Sequence, residues 1–169
     1  MSFWQLLKED WIAHERDWTR PGFRAVAVHR LGNLQLDTPR PLHRCGRFLH
    51  RVLYRWVRNR YSIELPYAVE LGRRPIIEHQ GAIIIHGFAR LGDDCIVRQG
   101  TTIGNRYRDR PLDAPRLGDR VDVGAGAQIL GAVSVGDDAR VGANAVVIDD
   151  IPAGHTAVGV PAVARPTKP

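Results

Sequence analysis

The sequence predicts an all-β solenoid, a parallel β-helix built from hexapeptide repeats and preceded by a short α-helical region. The first observation is a small aliphatic residue at every sixth position in two blocks, which are Ile85, Leu91, Val97 and Ile103, then Leu117, Val123, Ile129, Val135, Val141 and Val147. A second small or apolar residue stands two positions before each of them. An amphipathic helix would repeat apolar residues roughly every three or four positions, so the strict hexad favours a β-helix.

The chain divides into two regions in this prediction. Residues 1–61 form the N-terminal helical region, and residues 62–169 form the β-helix domain. A polar stretch at residues 105–114, rich in Arg and Asp, interrupts the hexads. Insertions in a solenoid leave the stacked strands as projecting loops, and such loops often build binding sites.

Three helices are expected in the first region. Two short helices are separated by Pro21 and Gly22, and the first is amphipathic along a row of apolar residues, Trp4, Leu7, Trp11 and Trp18. Residues 37–41 form a linker with two prolines. A longer helix then continues to about Tyr61.

Composition indicates a compact protein of one domain or one solenoid with an appendage. The longest apolar stretch, around residues 83–85, is far shorter than a membrane span, and the N-terminus carries acids where a signal peptide carries a basic and then an apolar run. We therefore expect a cytoplasmic protein. Cys95 occupies an inward hexad position, so a buried free thiol is expected rather than a disulfide or a metal ligand.

The net charge of +6 comes largely from arginine, and one group of arginines precedes the repeats. Its members follow helical spacing and are Arg40, Arg44, Arg47, Arg51, Arg55 and Arg58. Two interpretations remain open for this stripe at 40–58. It is either a solvated helix face or a surface for anionic lipid head groups, a phosphate-bearing substrate or an acidic partner. Nucleic acid is not expected, because no basic sheet with interleaved aromatic residues and no recognisable reading helix accompanies the stripe.

Three stretches of the β-helix region resemble the serine acetyltransferases of the hexapeptide-repeat acyltransferase superfamily. They are YSIELPYAVELGRRPIIEHQGAIII, IVRQGTTIGN and APRLGDRVDVGAGAQILGAVSVGDDARVGANAVVIDDIPAGHTAVGVPA. The resemblance implies a left-handed parallel β-helix, a homotrimer, acetyl-coenzyme A as donor and active sites between neighbouring subunits. It leaves open whether two trimers join into a hexamer, because the helical region here is short.

The resemblance also implies the catalytic residues. Acetyl transfer to an alcohol needs a base on the hydroxyl, and imidazole suits this role near neutral pH. The family's Asp-His pair matches Glu78 and His79, so His79 is the expected base and Glu78 an acceptor-binding residue. A second family acid, which orients the histidine, matches Glu64. A carboxylate beside an imidazole fixes its tautomer and stabilises the cation that forms.

Further site residues follow from the same match. Asp17 matches the family carboxylate that binds the amino group of serine. The pantetheine arm of the donor is expected along small residues that leave space for it, which are Gly104, Ala125 and Ala143, with Asn105 where the family has Gly. No metal is expected, because the carbonic-anhydrase-like members of the superfamily need three clustered histidines and the repeat region has no close pair.

Three departures bear on the acceptor. The two site acids of the β-helix, Glu64 and Glu78, are Glu where serine acetyltransferases have Asp. The family's Arg-His pair before a proline is replaced here by Asp113 and Ala114. The stretch TIGNR and the small residue before Pro115 look more like the colanic-acid-type exopolysaccharide O-acetyltransferases. We therefore expect a sugar acceptor in exopolysaccharide synthesis, with L-serine in cysteine biosynthesis as the alternative. A non-catalytic solenoid, either partner-binding or structural, ranks behind both.

Overall fold

The computed structural model describes the backbone of residues 2–34 and 40–167, and the side chains of residues 2–34 and 44–167. Three helices come first, α1 (Phe3–Ala13), α2 (Pro21–Leu34) and α3 (Arg40–Tyr61). Strands follow from Ile63 onward and lie in three parallel sheets, so that the chain winds through about five coils of a β-helix. This confirms the fold class that the hexads predict.

Each sheet collects short strands from successive coils. Sheet A contains β1 (Ile63–Glu64), β4 (Ile83–Ile85), β7 (Thr102–Gly104), β10 (Gln128–Leu130) and β13 (Val146–Val147). Sheet B contains β2 (Glu70–Leu71), β5 (Arg90–Leu91), β8 (Arg116–Leu117) and β11 (Ser134–Val135). Sheet C contains β3 (Ile76–Glu78), β6 (Ile96–Arg98), β9 (Asp122–Val123), β12 (Arg140–Val141), β14 (His155–Gly159) and β15 (Ala162–Pro166). The last two pair antiparallel and close the far end of the helix.

The hexad residues fill the interior of the coils. Every aliphatic residue of the two blocks is buried, and so is every residue of the companion series two positions earlier. Cys95 belongs to that companion series, is a free thiol and has no exposed surface. Burial raises the pKa of the Cys95 thiol to about 11, as expected for a thiol that serves as a small apolar side chain.

The glycine that often follows the inward aliphatic residue has a steric cause. At the corner between sheets B and C, Asp119 Oδ1 accepts a hydrogen bond from the backbone of Asp93 at 2.8 Å. Asp137 Oδ1 accepts one from the backbone of Asp119 at the same distance. A Cβ on Gly92 would lie 2.3 Å from Asp119 Oδ1, and one on Gly118 would lie 2.1 Å from Asp137 Oδ1. The stacked aspartates therefore require glycine beside them.

The helical region covers the first coil, whose strands would otherwise expose unpaired backbone groups. The N–H of Ile77 donates to His14 Nε2 at 3.3 Å, and His29 Nε2 donates to the carbonyl of Val69 at 3.0 Å. Arg30 donates to the carbonyls of Leu71 and Gly72 at 2.9 and 2.5 Å. Its guanidinium is also ion-paired at 2.9 Å with Asp10, and both side chains are buried.

The two short helices differ from the expected pattern. Pro21 is the first residue of α2 and does not end a helix, because a proline at the first helical position loses no hydrogen bond. Helix α1 ends at Ala13, so Trp18 lies in the following turn, and both Trp4 and Trp18 are exposed. The buried residues on the inward side of α1 are polar: Asp10 within the helix and His14 at its C-terminal cap. Polar residues are needed there because α1 covers the backbone groups of a strand edge and not an apolar core.

The buried histidines predict that stability falls in mild acid. Burial lowers the pKa of His29 to about 4, whereas an unfolded histidine titrates near 6.5. The unfolded chain therefore binds the proton first, and the free energy of unfolding falls as the pH drops from 6.5 to 4, by ~3 kcal/mol from this residue. Urea unfolding across this range measures the loss. His29→Gln keeps an N–H donor without titrating, so equal slopes for wild type and variant would contradict the account.

The close contact between α2 and β3 predicts a large effect at one glycine. A Cβ on Gly22 would lie 2.0 Å from the carbonyl oxygen of Ile77, so the helix must move away from the strand. Gly22→Ala should lower the free energy of unfolding by about 1–3 kcal/mol in urea titrations. The matched control is Gly87→Ala, whose new Cβ meets only Ala68 at 3.7 Å. Equal losses in the two variants would show that the contact has no such role.

Candidate active site

His79 lies in a bulge at the corner between sheets C and A. Glu78 pairs with Arg98 and Ile84 pairs with Thr102, so residues 79–83 span the same corner that residues 99–101 span in the next coil. The N–H of Gly100 donates to the carbonyl of Gly81 at 2.9 Å, which assigns the two extra positions to His79 and Gln80. His79 has a φ of 64° and an exposed side chain. The inserted histidine is thus presented outward, free to meet a ligand.

The bulge stands above a row of small residues at the same corner. Ala125 and Ala143 occupy equivalent positions in successive coils, below Gln99. The N–H of Gly126 donates to Gln99 O, and that of Asn144 donates to Ala125 O, both at 2.8 Å. Ala125 is partly exposed and Ala143 exposed, so the row leaves an open track along the coil axis below Gln99, and Gln99 lies between this track and the bulge.

Glu64 lies on the outward face of sheet A, in the first strand after α3. It pairs with Ile84 in the next coil and is partly exposed. Burial, and after it the negative charge of Glu64, raises the pKa of Tyr54 on α3, so this carboxylate lies near that helix. Among the side chains that the structure describes, none of the hydrogen bonds joins Glu64 to His79. The role of Glu64 in orienting the base therefore stays a prediction.

Glu78 is held by an arginine that sequence reasoning did not single out. Arg98 lies directly opposite in the register of β3 and β6, and its Nε donates to Glu78 Oε2 at 2.8 Å. The same guanidinium also pairs with Asp122. The hydrogen bond to Asp122 is the main cause that raises the pKa of Arg98, and the negative charge of Glu78 raises it further. The signal was present in the sequence, because Arg98 follows Glu78 by the same twenty residues that separate Ile77 from its partner Val97.

Asp17 lies in the turn between α1 and α2. His14 before this turn and Gly22 after it both meet Ile77, so the turn lies close to β3. Thr19 donates its N–H and its hydroxyl to Asp17 Oδ1 at 2.8 and 2.6 Å. These hydrogen bonds lower the pKa of Asp17 and keep the carboxylate charged.

Gly104 and Asn105 lie at the other end of sheet A, where the chain enters the loop. The backbone of Gly104 is buried, and its carbonyl accepts the N–H of Gly131 at 2.8 Å. Asn105 Nδ2 donates to the carbonyl of Tyr107 at 2.9 Å. A strand of about three residues separates this corner from the row of small residues, roughly 10 Å. Within one chain the expected donor-binding residues therefore form two separate groups.

The loop presents cationic and aromatic groups together. The guanidinium carbons of Arg106 and Arg110 lie 5.1 and 5.7 Å from the centroid of the Tyr107 ring, which is exposed. At the end of the loop Ala114 is buried and Asp113 is partly exposed. This end of the loop thus supplies no cation at the place of the family's Arg-His pair.

The exposed imidazole beside a carboxylate at this corner suits proton transfer. In the described part of the chain, no group of three His, Cys, Asp or Glu side chains could hold a metal ion. The same residues contain no helix long and apolar enough to cross a bilayer. What the corner offers is an exposed imidazole, the adjacent carboxylate of Glu78 and a row of small residues in the coils below. This is an arrangement for a base and a thin extended ligand.

Comparison with known proteins agrees with this chemistry. No family model matches the sequence. A serine acetyltransferase of Helicobacter pylori strain J99 is 38% identical over 166 residues, which is 95% of this chain and 92% of the relative. The soybean serine acetyltransferase apoenzyme superposes with a TM-score of 0.81 and 29% identity over 97% of this chain and 69% of its own. The same soybean enzyme complexed with serine gives 0.81 and 28%, over 97% and 70% of the two chains.

These matches correct one expectation. We predicted the colanic-acid-type exopolysaccharide branch from Asp113, Ala114 and the stretch TIGNR, but relatives similar along nearly the whole chain are serine acetyltransferases. A short motif beside one loop is weaker evidence than similarity along nearly the entire chain. These matches show that the chain, a left-handed parallel β-helix, belongs to the serine acetyltransferase family.

Proposed function

We propose that this protein transfers the acetyl group of acetyl-coenzyme A to the hydroxyl of L-serine. The observation that carries the proposal is the similarity to the Helicobacter pylori serine acetyltransferase along nearly the full length of both chains. The geometry supports it, because the two-residue bulge presents His79 to solvent beside Glu78 and the turn of Asp17.

His79 is the general base in this proposal. One ring nitrogen accepts the hydroxyl proton of serine while the serine oxygen attacks the carbonyl carbon of the thioester. When the carbon–sulfur bond breaks, the imidazolium returns this proton to the leaving thiolate. No external acid or base is consumed. A carboxylate within reach would stabilise the imidazolium, and Glu64 is proposed for that role.

The charged groups around Glu78 are proposed to bind the two ends of the amino acid. Glu78 and Asp17 bind the ammonium group. The carboxylate needs a cation, and Asp113 and Ala114 provide none. We assign that role to Arg98, whose Nε and Nη1 are used by Glu78 and Asp122 and whose Nη2 remains for a ligand.

The donor is proposed to lie along the row of Ala125 and Ala143. These side chains are small, and Gly124 and Gly142 precede them in the chain, so the track can admit an extended pantetheine arm. Gly104 and Asn105 lie at the opposite corner, and they can reach the same donor only if a neighbouring copy brings its corner against this one. A homotrimer with sites between subunits would do this.

The acceptor is tested by measuring release of coenzyme A from acetyl-coenzyme A with L-serine, nucleotide sugars and oligosaccharides. We expect turnover on L-serine. His79→Ala should lower kcat by about 10²–10⁴-fold, because a positioned base is lost. Arg98→Met should chiefly raise the KM for serine, by about tenfold or more, because the carboxylate loses a charged hydrogen bond.

The matched control is His155→Ala, which removes a histidine from the opposite end of sheet C and should leave the turnover unchanged. Turnover only on a carbohydrate would contradict the acceptor. Full activity of His79→Ala would contradict the base, and an unchanged KM in Arg98→Met would remove Arg98 from the acceptor site.

A further inference from the structure

Helix α3 presents three distinct faces around its axis. Residues turn by about 100° each along a helix, so positions three and four apart share a face. The face toward the protein carries the buried or partly buried residues His50, Leu53, Tyr54, Val57 and Tyr61. The two remaining faces adjoin each other and point to solvent. We call them the apolar row and the arginine row.

The apolar row consists of Cys45, Phe48, Leu49, Val52 and Trp56. Phe48 is 68% exposed, and Leu49, Val52 and Trp56 are each about half exposed. Single exposed apolar residues are ordinary on protein surfaces, but a contiguous row of large ones marks a surface that binds something.

The arginine row runs beside it and consists of Arg44, Arg47, Arg51, Arg55 and Arg58. The sequence of α3 contains no Asp or Glu. Among the described side chains none of these arginines forms a salt bridge, whereas five arginines of the β-helix each pair with a carboxylate, Arg73, Arg74, Arg90, Arg98 and Arg120. The uncompensated positive charge is therefore concentrated on α3.

We propose that α3 docks this protein on an anionic phospholipid membrane. A helix with large apolar residues on one face and arginines along its flank lies in the plane of the interface, with the apolar face at the boundary between head groups and acyl chains. The arginine row then stands at the level of the lipid phosphates, where each cation gains attraction from the surface potential. The apolar row therefore matches the acyl-chain boundary of the membrane, and the arginine row matches its phosphate layer.

A second copy of the chain fits this face less well. An antiparallel two-fold contact through the apolar rows would place the two arginine rows on the same side of the helix pair, with no acid on either helix to offset them. Like charges at an interface cost free energy and reduce association. The charge pattern thus favours an anionic occupant, and the apolar row favours one with a hydrocarbon layer. The proposal is independent of the acceptor that the enzyme uses.

Cosedimentation with vesicles tests the proposal on the full chain. We expect binding to mixed phosphatidylglycerol–phosphatidylcholine vesicles, weaker binding to phosphatidylcholine alone and a decrease as salt is added. Arg47→Ser with Arg51→Ser should weaken binding to the anionic vesicles about 30-fold, because each arginine near the surface contributes about a fivefold factor. Phe48→Ser should weaken it about tenfold or more through lost apolar burial. Trp56 is left intact because its ring packs on Tyr61 at 5.3 Å.

Matched controls distinguish the contribution of α3 from the effects of charge and exposed apolar residues elsewhere in the chain. Lys8→Ser with Arg165→Ser removes the same charge from exposed positions outside α3, and Leu112→Ser removes an equally exposed apolar residue from the loop. Both controls should bind like wild type. The proposal is overturned if wild type fails to bind anionic vesicles at low salt, or if the controls lose as much binding as the α3 variants. It is also overturned if Phe48→Ser lowers the particle mass in light scattering, which would make the face a contact between subunits.

Discussion

The narrow interior of the β-helix constrains the rest of the molecule. Each coil passes three corners, and at each strand one small or aliphatic side chain must point inward and pack on its equivalents above and below. Residues in excess of this repeat have no place inside. They must leave the coil as a bulge or a loop, and they leave it at fixed positions because the strand pairings on both sides remain in register. His79, the proposed base, lies at such a departure.

The two departures differ in size and in consequence. The bulge of His79 and Gln80 is short, and the backbone directly after it stays tied to the next coil, so the imidazole is exposed on an anchored backbone. The loop at 105–114 is longer, and it gathers cationic groups around the ring of Tyr107. The contacts with which the helical region caps the first coil also bring the turn of Asp17 close to β3. In the proposed function, the same packing therefore caps a strand edge and helps to build the acceptor site.

The sequence predicted the interior well, because inward positions in a β-helix are determined by local chemistry. It predicted the surface less well. One step of six residues back from Ile85 arrives at His79, which is exposed. The buried, inward residue is Ile77, two positions earlier. This shift of two positions in the repeat indicates the two-residue bulge. The partnership of Glu78 with Arg98 required knowledge of coil length. The exopolysaccharide branch was wrongly predicted, because Asp113 and Ala114 are local departures, whereas the similarity to serine acetyltransferases extends over nearly the whole chain.

We propose that the row of small residues and the bulge above it form one site. A crystal structure of the protein grown with coenzyme A and L-serine would reveal which residues contact the two substrates. We expect the pantetheine arm along Ala125 and Ala143, its sulfur directed toward His79, and the serine hydroxyl within roughly 2.6–3.2 Å of the imidazole. Coenzyme A bound away from this row, or serine bound out of reach of His79, would contradict it.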